Sequence, residues 1–253
     1  MLTIQPIPAF DDNYIWLLYD EQSRQAFVVD PGDAAPVIRS LRELQLNLAG
    51  VLITHHHFDH VGGLEQLRAE FEPVVFGPHN PTIGGIDHRL AAGDNIEVLG
   101  QQFKVLEVPG HTLDHIAYFH AGESPLLFCG DTLFAGGCGR VFEGTPPMML
   151  QSLQALAALP PATRVYCAHE YTQSNAAFAL SVEPGNDDLV ARAAEIDRLR
   201  AANEPTVPTT IGLEKATNPF LRPDSDNLRA TVGLADADLV TVFAETRRRK
   251  DSF

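Results

Sequence analysis

The sequence predicts an α/β protein in which sheets are flanked by helices, with a smaller helical portion at its end. Two observations predict it. Short apolar strands alternate with amphipathic helical segments up to Tyr171, the signature of layered sheets and helices. Beyond Tyr171 the strand pattern stops, and polar, Ala-rich helical segments separated by Pro-rich loops take over. A third feature shows where the chemistry sits. Val51-Leu52-Ile53-Thr54 reads as a short buried strand and runs directly into His55-His56-His57-Phe58-Asp59-His60.

In order, Thr3 to Ile7, Tyr14 to Tyr19 and Ala26 to Val29 read as strands, the last closing on Asp30-Pro31-Gly32. Asp33 can cap a helix whose Val37, Ile38, Leu41 and Leu44 share one face. After the His-rich run, Leu64, Leu67 and Phe71 continue at helical spacing, and Pro73 to Gly77 is another strand. Residues 78–100, rich in Gly, Pro, Asn and Asp, read as loop with short strands. Phe103 to Val108 ends in Pro109-Gly110-His111-Thr112, and Ile116 to His120 follows it. Leu126 to Cys129 ends in Gly130-Asp131-Thr132. Thr145-Pro146, a capping residue followed by proline, starts a helix holding Met149, Leu150, Leu153 and Leu156. Arg164 to Ala168 is a last strand, ending in His169-Glu170-Tyr171, and helices follow at Asn186 to Asn203 and Asp236 to Lys250. The expected division is a layered domain over 1–171 and a helical one over 172–253.

Composition excludes several classes. With 45% hydrophobic and 20% charged residues over 253 positions, the chain is an ordinary globular protein. No apolar run approaches the roughly 18 residues a membrane span needs, and Met1 to Asp12 lacks the basic and apolar regions of a signal peptide. A net charge of −15 argues against a nucleic-acid partner, although Arg247, Arg248, Arg249 and Lys250 form a basic run at the end. Three cysteines without a Cys-x-x-Cys spacing read as buried residues, Cys129 and Cys167 within strands. A monomer in the cytoplasm, bound to neither membrane nor nucleic acid, is expected.

The recurring feature is a strand that ends in His or Asp, and such ends gather on one edge of a layered sheet, where sites form. Residues two apart on extended chain point the same way, so His55 and His57 can face one point while Asp59 and His60 face a second. His56 and Phe58 fill the intervening positions. His111, Asp131 and His169 join the set from the other strand ends. A lone His or Asp there is ordinarily a turn residue, but with the first cluster in place the three read as ligands. Imidazole and carboxylate are the donors a borderline cation such as zinc accepts. Seven ligands exceed one tetrahedral site. Divided as His55, His57, His111 and as Asp59, His60, His169, with Asp131 between, they fit two cations about 3.5 Å apart that hold and activate a hydroxide. No serine nucleophile is required, and Gly-x-Ser-x-Gly does not occur.

The run from Thr54 to His60, with Pro109-Gly110-His111-Thr112, Gly130-Asp131-Thr132 and His169, resembles the metallo-β-lactamase superfamily. Further motifs narrow the likeness: Phe10-Asp11-Asp12-Asn13-Tyr14-Ile15-Trp16, the stretch from Phe128 to Phe134, Gly137-Cys138-Gly139-Arg140, Cys167-Ala168-His169-Glu170-Tyr171, and the terminal Arg-Arg-Arg-Lys-Asp-Ser-Phe. Together they resemble the glyoxalase II (hydroxyacylglutathione hydrolase) family over residues 10–253. The resemblance implies an αββα sandwich with a C-terminal helical domain, and hydrolysis of S-(R)-lactoylglutathione to glutathione and D-lactate in methylglyoxal detoxification. It implies two divalent metals, zinc foremost with iron or manganese as variants, and Asp59 and Asp131 as the carboxylates acting with the bridging hydroxide. By the same resemblance Arg247 and Lys250 bind the glycine carboxylate of glutathione, and Arg140 and Tyr171 contact the tripeptide. Arg140 stands where some members carry Lys, and Phe142 where some carry Tyr. A thiolate leaves readily, so no dedicated general acid is expected, and His79, His88, His115 and His120 read as surface or supporting residues.

Rival readings are other hydrolases of the superfamily (a lactonase or β-lactamase), a mononuclear-iron persulfide dioxygenase, and a non-enzymatic metal-binding scaffold. Asp131 in place of a Cys counts against the exported lactamases. The complete second ligand set counts against one iron, and the chain length leaves no room for a further cofactor domain.

Overall fold

The computed structural model describes residues 2–253, which form two compact units. One holds the chain up to Glu107 together with Asp114–Gly130. The other holds Val108–Leu113 and Asp131–Phe253.

In the first unit β1 (Leu2–Ala9), β2 (Asn13–Asp20) and β3 (Gln25–Val29) pair antiparallel. Then β4 (Asn47–Leu52), β5 (Val74–Pro78) and β6 (His88–Leu90) add in parallel, giving one sheet in chain order. Parallel neighbours need crossovers. Helix α1 (Ala34–Leu44) supplies the first, and α2 (Phe58–Val61) with α3 (Leu64–Phe71) supplies the second. Asp33 caps α1 as its sequence predicts, its carboxylate accepting from the Ala35 amide at 2.9 Å.

Alternation explains the packing. Ile15, Leu17, Ala26, Val28, Val51 and Ile53 form one buried cluster with Val37, Ile38 and Leu41 of α1 and Leu64 and Leu67 of α3. The intervening Trp16, Leu18, Phe27, Val29 and Leu52 are buried outside that cluster, on the opposite face. Both faces are therefore covered, which is why these strands read as continuous apolar runs. The strands β7 (Asn95–Val98), β8 (Gln101–Glu107), β9 (Ile116–His120) and β10 (Leu126–Gly130) form an antiparallel meander. From β9 the Tyr118 hydroxyl donates to the Ile53 carbonyl at 2.8 Å. Burial holds that phenol well above its ordinary pKa, so it stays a donor.

The second unit runs through β11 (Leu133–Phe134), β12 (Gly137–Cys138), α4 (Pro146–Ala157), β13 (Arg164–Cys167), α5 (Thr172–Val182), α6 (Asp187–Ala201), β14 (Thr209–Thr210), α7 (Ile211–Thr217), a 3-10 turn at Pro219–Leu221, α8 (Asp226–Val232) and α9 (Leu239–Asp251). The Thr145 and Asn186 side chains cap α4 and α6, and Asp238 caps α9. The expectation of a strand-free region past Tyr171 needs one correction, since Thr209 and Thr210 pair antiparallel with β13. Two residues are too few for any alternation to register. The hairpin of β11 and β12 escapes the sequence reading for the same reason. Among the described residues no helix is long and apolar enough to cross a membrane.

So short a hairpin is held by side chains from far along the chain. Asn218 donates from Nδ2 to the carbonyls of Phe134 (3.2 Å) and Gly137 (2.9 Å), and Asn175 to that of Ala135 (3.1 Å). The Glu214 carboxylate accepts from the Gly136 amide (2.8 Å), the Thr209 hydroxyl (2.7 Å) and the Arg192 guanidinium. Glu214 is fully buried and Arg192 nearly so. Removing one member of such a pair leaves an uncompensated buried charge, which costs about 3–5 kcal/mol. Glu214→Ala is therefore expected to lower the unfolding free energy by about that amount in a denaturant titration; a loss under about 1 kcal/mol would show the pair to be dispensable.

Candidate metal centre

Each unit carries its own set of ligand-type side chains. In the first, β4 delivers the chain to Thr54 and the extended run that follows. His55 is fully buried, and its ring centroid lies 4.7 Å from that of His57 and 4.0 Å from that of His60. His56 turns elsewhere, its Nδ1 2.9 Å from Asp114, as alternation on extended chain requires. Asp59 and His60 sit in the single turn of α2, with His60 Nε2 3.4 Å from Asp59 Oδ2.

A hydrogen bond chooses the tautomer of His55, and a close polar contact holds His60, whose Nδ1 lies 3.1 Å from Asp30 Oδ2. The Thr54 hydroxyl donates its one proton to Asp30 Oδ2 at 2.8 Å, so at 3.0 Å it accepts from His55 Nδ1. The Thr54 amide donates to Asp30 Oδ1 at 2.7 Å. Asp30, buried and at φ +52°, thus orders His55 through Thr54 and lies against His60. Two glycines make room. A Cβ on Gly32 would lie 1.9 Å from the Asp59 carbonyl oxygen, and one on Gly130, at φ +45°, 2.4 Å from the Thr54 hydroxyl. His115 is buried and stacks on His55 with centroids 4.5 Å apart, a support for that ring as its sequence position suggests.

In the second unit His111, Asp131 and His169 come together. His111 Nε2 lies 3.4 Å from Asp131 Oδ2, and His169 Nε2 lies 3.3 Å from Asp131 Oδ1. Each carboxylate oxygen therefore faces a different imidazole. His111 Nδ1 donates to the Arg140 carbonyl at 2.8 Å, which again leaves the lone pair on Nε2. The loop that carries His111 is pinned by the Ser152 hydroxyl on the Pro109 carbonyl (2.7 Å) and by the Gly144 amide on the Gly110 carbonyl (3.1 Å).

The same unit holds the four residues expected to bind substrate. The Tyr171 ring stacks on His169 (centroids 4.6 Å, planes 7° apart), and Phe142 sets an edge against His111 at 5.3 Å. Arg140 is largely exposed, with Nε 3.7 Å from Asp251. Arg247 is almost entirely buried, donating to the Cys138 carbonyl (2.8 Å) and pairing with Asp251 (2.9 Å). Lys250 reaches the Ser174 hydroxyl at 3.1 Å. Burial, then the charges of Arg247 and Arg140, push the Lys250 ammonium down to about 8. Burial raises Cys138 to about 11 and Cys167 to about 12, so neither thiol is a nucleophile at neutral pH.

The family model described as metallo-beta-lactamase superfamily matches residues 10–169, and one described as hydroxyacylglutathione hydrolase C-terminus matches 170–253. A hydroxyacylglutathione hydrolase of Ectopseudomonas mendocina is 54% identical, with both chains covered in full. The chain belongs to the hydroxyacylglutathione hydrolase family, glyoxalase II, of the metallo-β-lactamase superfamily. Solved structures agree on the fold. ETHE1 from Myxococcus xanthus superposes with a TM-score of 0.67 at 25% identity, over 100% of this chain and 99% of that one. TTHA1623, described in a di-iron-bound form, gives 0.62 at 25% identity, over 86% and 100%.

As a glyoxalase II family member the chain is a metal-dependent hydrolase whose clustered His and Asp side chains serve divalent metal. The donor set fits such a cation. Donors about 2.0–2.2 Å from a tetrahedral metal lie about 3.4 Å from one another, and the three His–Asp separations within the units are 3.3–3.4 Å. Sequence reasoning missed Asp30 and Thr54. Asp30 also ends a strand in an acidic residue, the signal used for the ligands, but Pro31 and Gly32 made it read as a turn. Carboxylate partners of ligand imidazoles typically contribute about 10–100-fold in metal affinity. Asp30→Ala is expected to weaken divalent-metal binding by about that factor in competition with a chromogenic chelator, and wild-type affinity would remove Asp30 from this role.

Proposed function

We propose that the chain hydrolyses S-(R)-lactoylglutathione, and other 2-hydroxyacylglutathiones, to glutathione and D-lactate in the cytoplasm. We propose zinc as the metal, with iron or manganese as alternatives, in two sites. The family membership supports the reaction, and the observation that carries the two-site reading is Asp131. Its two oxygens face His111 and His169 separately, as a carboxylate shared between two cations can. In this reading His55, His57 and His111 would hold one cation, Asp59, His60 and His169 the other, and Asp131 would be shared. The di-iron form of TTHA1623 is in line with it. The two family models meet at residues 169 and 170, which supports a catalytic domain over 1–171 and a substrate-binding domain over 172–253.

When bound, the cations supply Lewis acidity toward the thioester carbonyl and an attacking water acidified to near neutrality. The residues do the rest. Thr54 and the Arg140 carbonyl accept from Nδ1 of His55 and His111, which aims both rings through Nε2, and Asp30 lies beside His60. Asp59 offers a carboxylate oxygen that orients the attacking water. Water adds to the acyl carbon, the C–S bond breaks, and glutathione leaves as a thiolate. A thiol pKa of about 8.5 makes a further proton donor unnecessary.

Glutathione is anionic, and so is the chain at −15, so binding needs a local cationic spot. Lys250, together with Arg247, is assigned to the glycine carboxylate, and the exposed Arg140 and Tyr171 to the rest of the tripeptide. Arg247 adds charge from beneath while its guanidinium supports the Cys138 carbonyl.

Purified protein is expected to cleave S-lactoylglutathione, to stop on chelation and to recover with zinc. Full turnover by Asp131→Ala with unaltered metal content would refute the assignment. A charge-assisted hydrogen bond contributes about 1.5–3 kcal/mol, so Lys250→Ala should raise KM about tenfold or more before kcat falls. Lys250 is protonated below about 8 and loses its charge above it. The glycine carboxylate stays ionised throughout, so KM should climb as pH passes 8, and Lys250→Gln should flatten that rise. A wild-type KM that stays level from about pH 7 to 9 would rule Lys250 out.

A further inference from the structure

Asn13 belongs to the N-terminal motif and plays no part in the site described so far. It is the first residue of β2, paired in register with Ala9 across a turn in which Phe10 takes φ +51°. Its side chain is 8% exposed, and Nδ2 donates to Asp59 Oδ2 at 3.0 Å, across 46 positions of sequence. This is the same oxygen that lies 3.4 Å from His60 Nε2. The turn alone does not call for a carboxamide, because Asp, Ser or Gly serve such positions as well. The ionised carboxylate does, since it only accepts and the amide of Asn can donate to it. Asp59 itself stands in a helix of one turn, with its side chain 36% exposed, and the Asn13 amide binds one of its two oxygens.

We infer that Asn13 is a positioning residue for Asp59. Its amide holds Asp59 Oδ2 alongside His60 Nε2, so that the two present themselves to one cation without rearranging. The β1–β2 turn is thereby part of the metal site, although it contributes no ligand. The inference rests on the two-cation reading above.

The test compares Asn13→Ala with Asn13→Asp, measuring the affinity of each zinc equivalent by chelator competition, kcat and KM separately, and melting of the metal-free protein. Asp preserves the side-chain shape and favours the turn, but sets an acceptor with like charge against Asp59. A positioning role predicts that both variants bind the weaker zinc about 10–100-fold less tightly. The Asp variant should be at least as impaired as Ala, with kcat reduced and KM within about twofold. Wild-type affinity in both variants overturns the inference. So does an Asp variant closer to wild type than Ala, because only a role in the turn would rank them that way. Should Asn13→Ala fail to fold, Asn13→Asp still decides, by keeping or losing the second zinc. If wild type hydrolyses the thioester with two zinc ions bound and Asn13→Asp matches it, this inference alone falls. If wild type does neither, the functional reading falls and takes the inference with it.

Discussion

An imidazole can offer Nε2 to a cation only while its proton is held on Nδ1, and much of the structure serves that one requirement. The acceptors are few and buried. Asp30 lies against His60 and, through Thr54, orders His55; the Arg140 carbonyl accepts from His111 Nδ1. Each acceptor is itself anchored. Asp30 also binds the Thr54 amide, and Arg140 follows a hairpin whose carbonyls are capped by side chains.

The long C-terminal segment has two tasks in this arrangement. Asn175, Asn218, Glu214 and Arg247 grip a hairpin of two-residue strands that could not hold itself, and that hairpin directly follows Asp131. The same segment gathers Lys250 and Arg247 near Arg140, creating a positive spot on an acidic chain. Packing several cations together with partial burial has a consequence. The ammonium of Lys250 titrates far closer to neutrality than an exposed lysine, so a group that attracts an anion is also sensitive to pH.

Much of the fold was legible because its elements obey simple periods. The caps at Asp33 and Thr145 stand where the sequence puts them, and the strands of the first sheet read as apolar runs because both faces are covered. Most elements that escaped are below the length at which a period exists, such as β11, β12 and β14, and the short helices α7 and α8; α5, eleven residues long, escaped because its buried face includes Thr172 and Asn175 and shows no apolar stripe. Cys129 and Cys167 were readable as buried strand residues, and His115 as a support, from neighbourhood alone.

Residue type and spacing by themselves determined the donor chemistry, since an alternating His-x-His followed by Asp-His after a buried strand leaves few other uses for those side chains. They also determined the family. Only the tertiary structure decided which oxygen faces which ring, which nitrogen keeps its proton, and that Asp30 and Asn13 stand behind the ligands. The reason is physical. Ligand identity is a property of single side chains, which a sequence states outright, whereas orientation is set by hydrogen bonds between residues 24 to 46 positions apart, which only the folded chain brings within 3 Å.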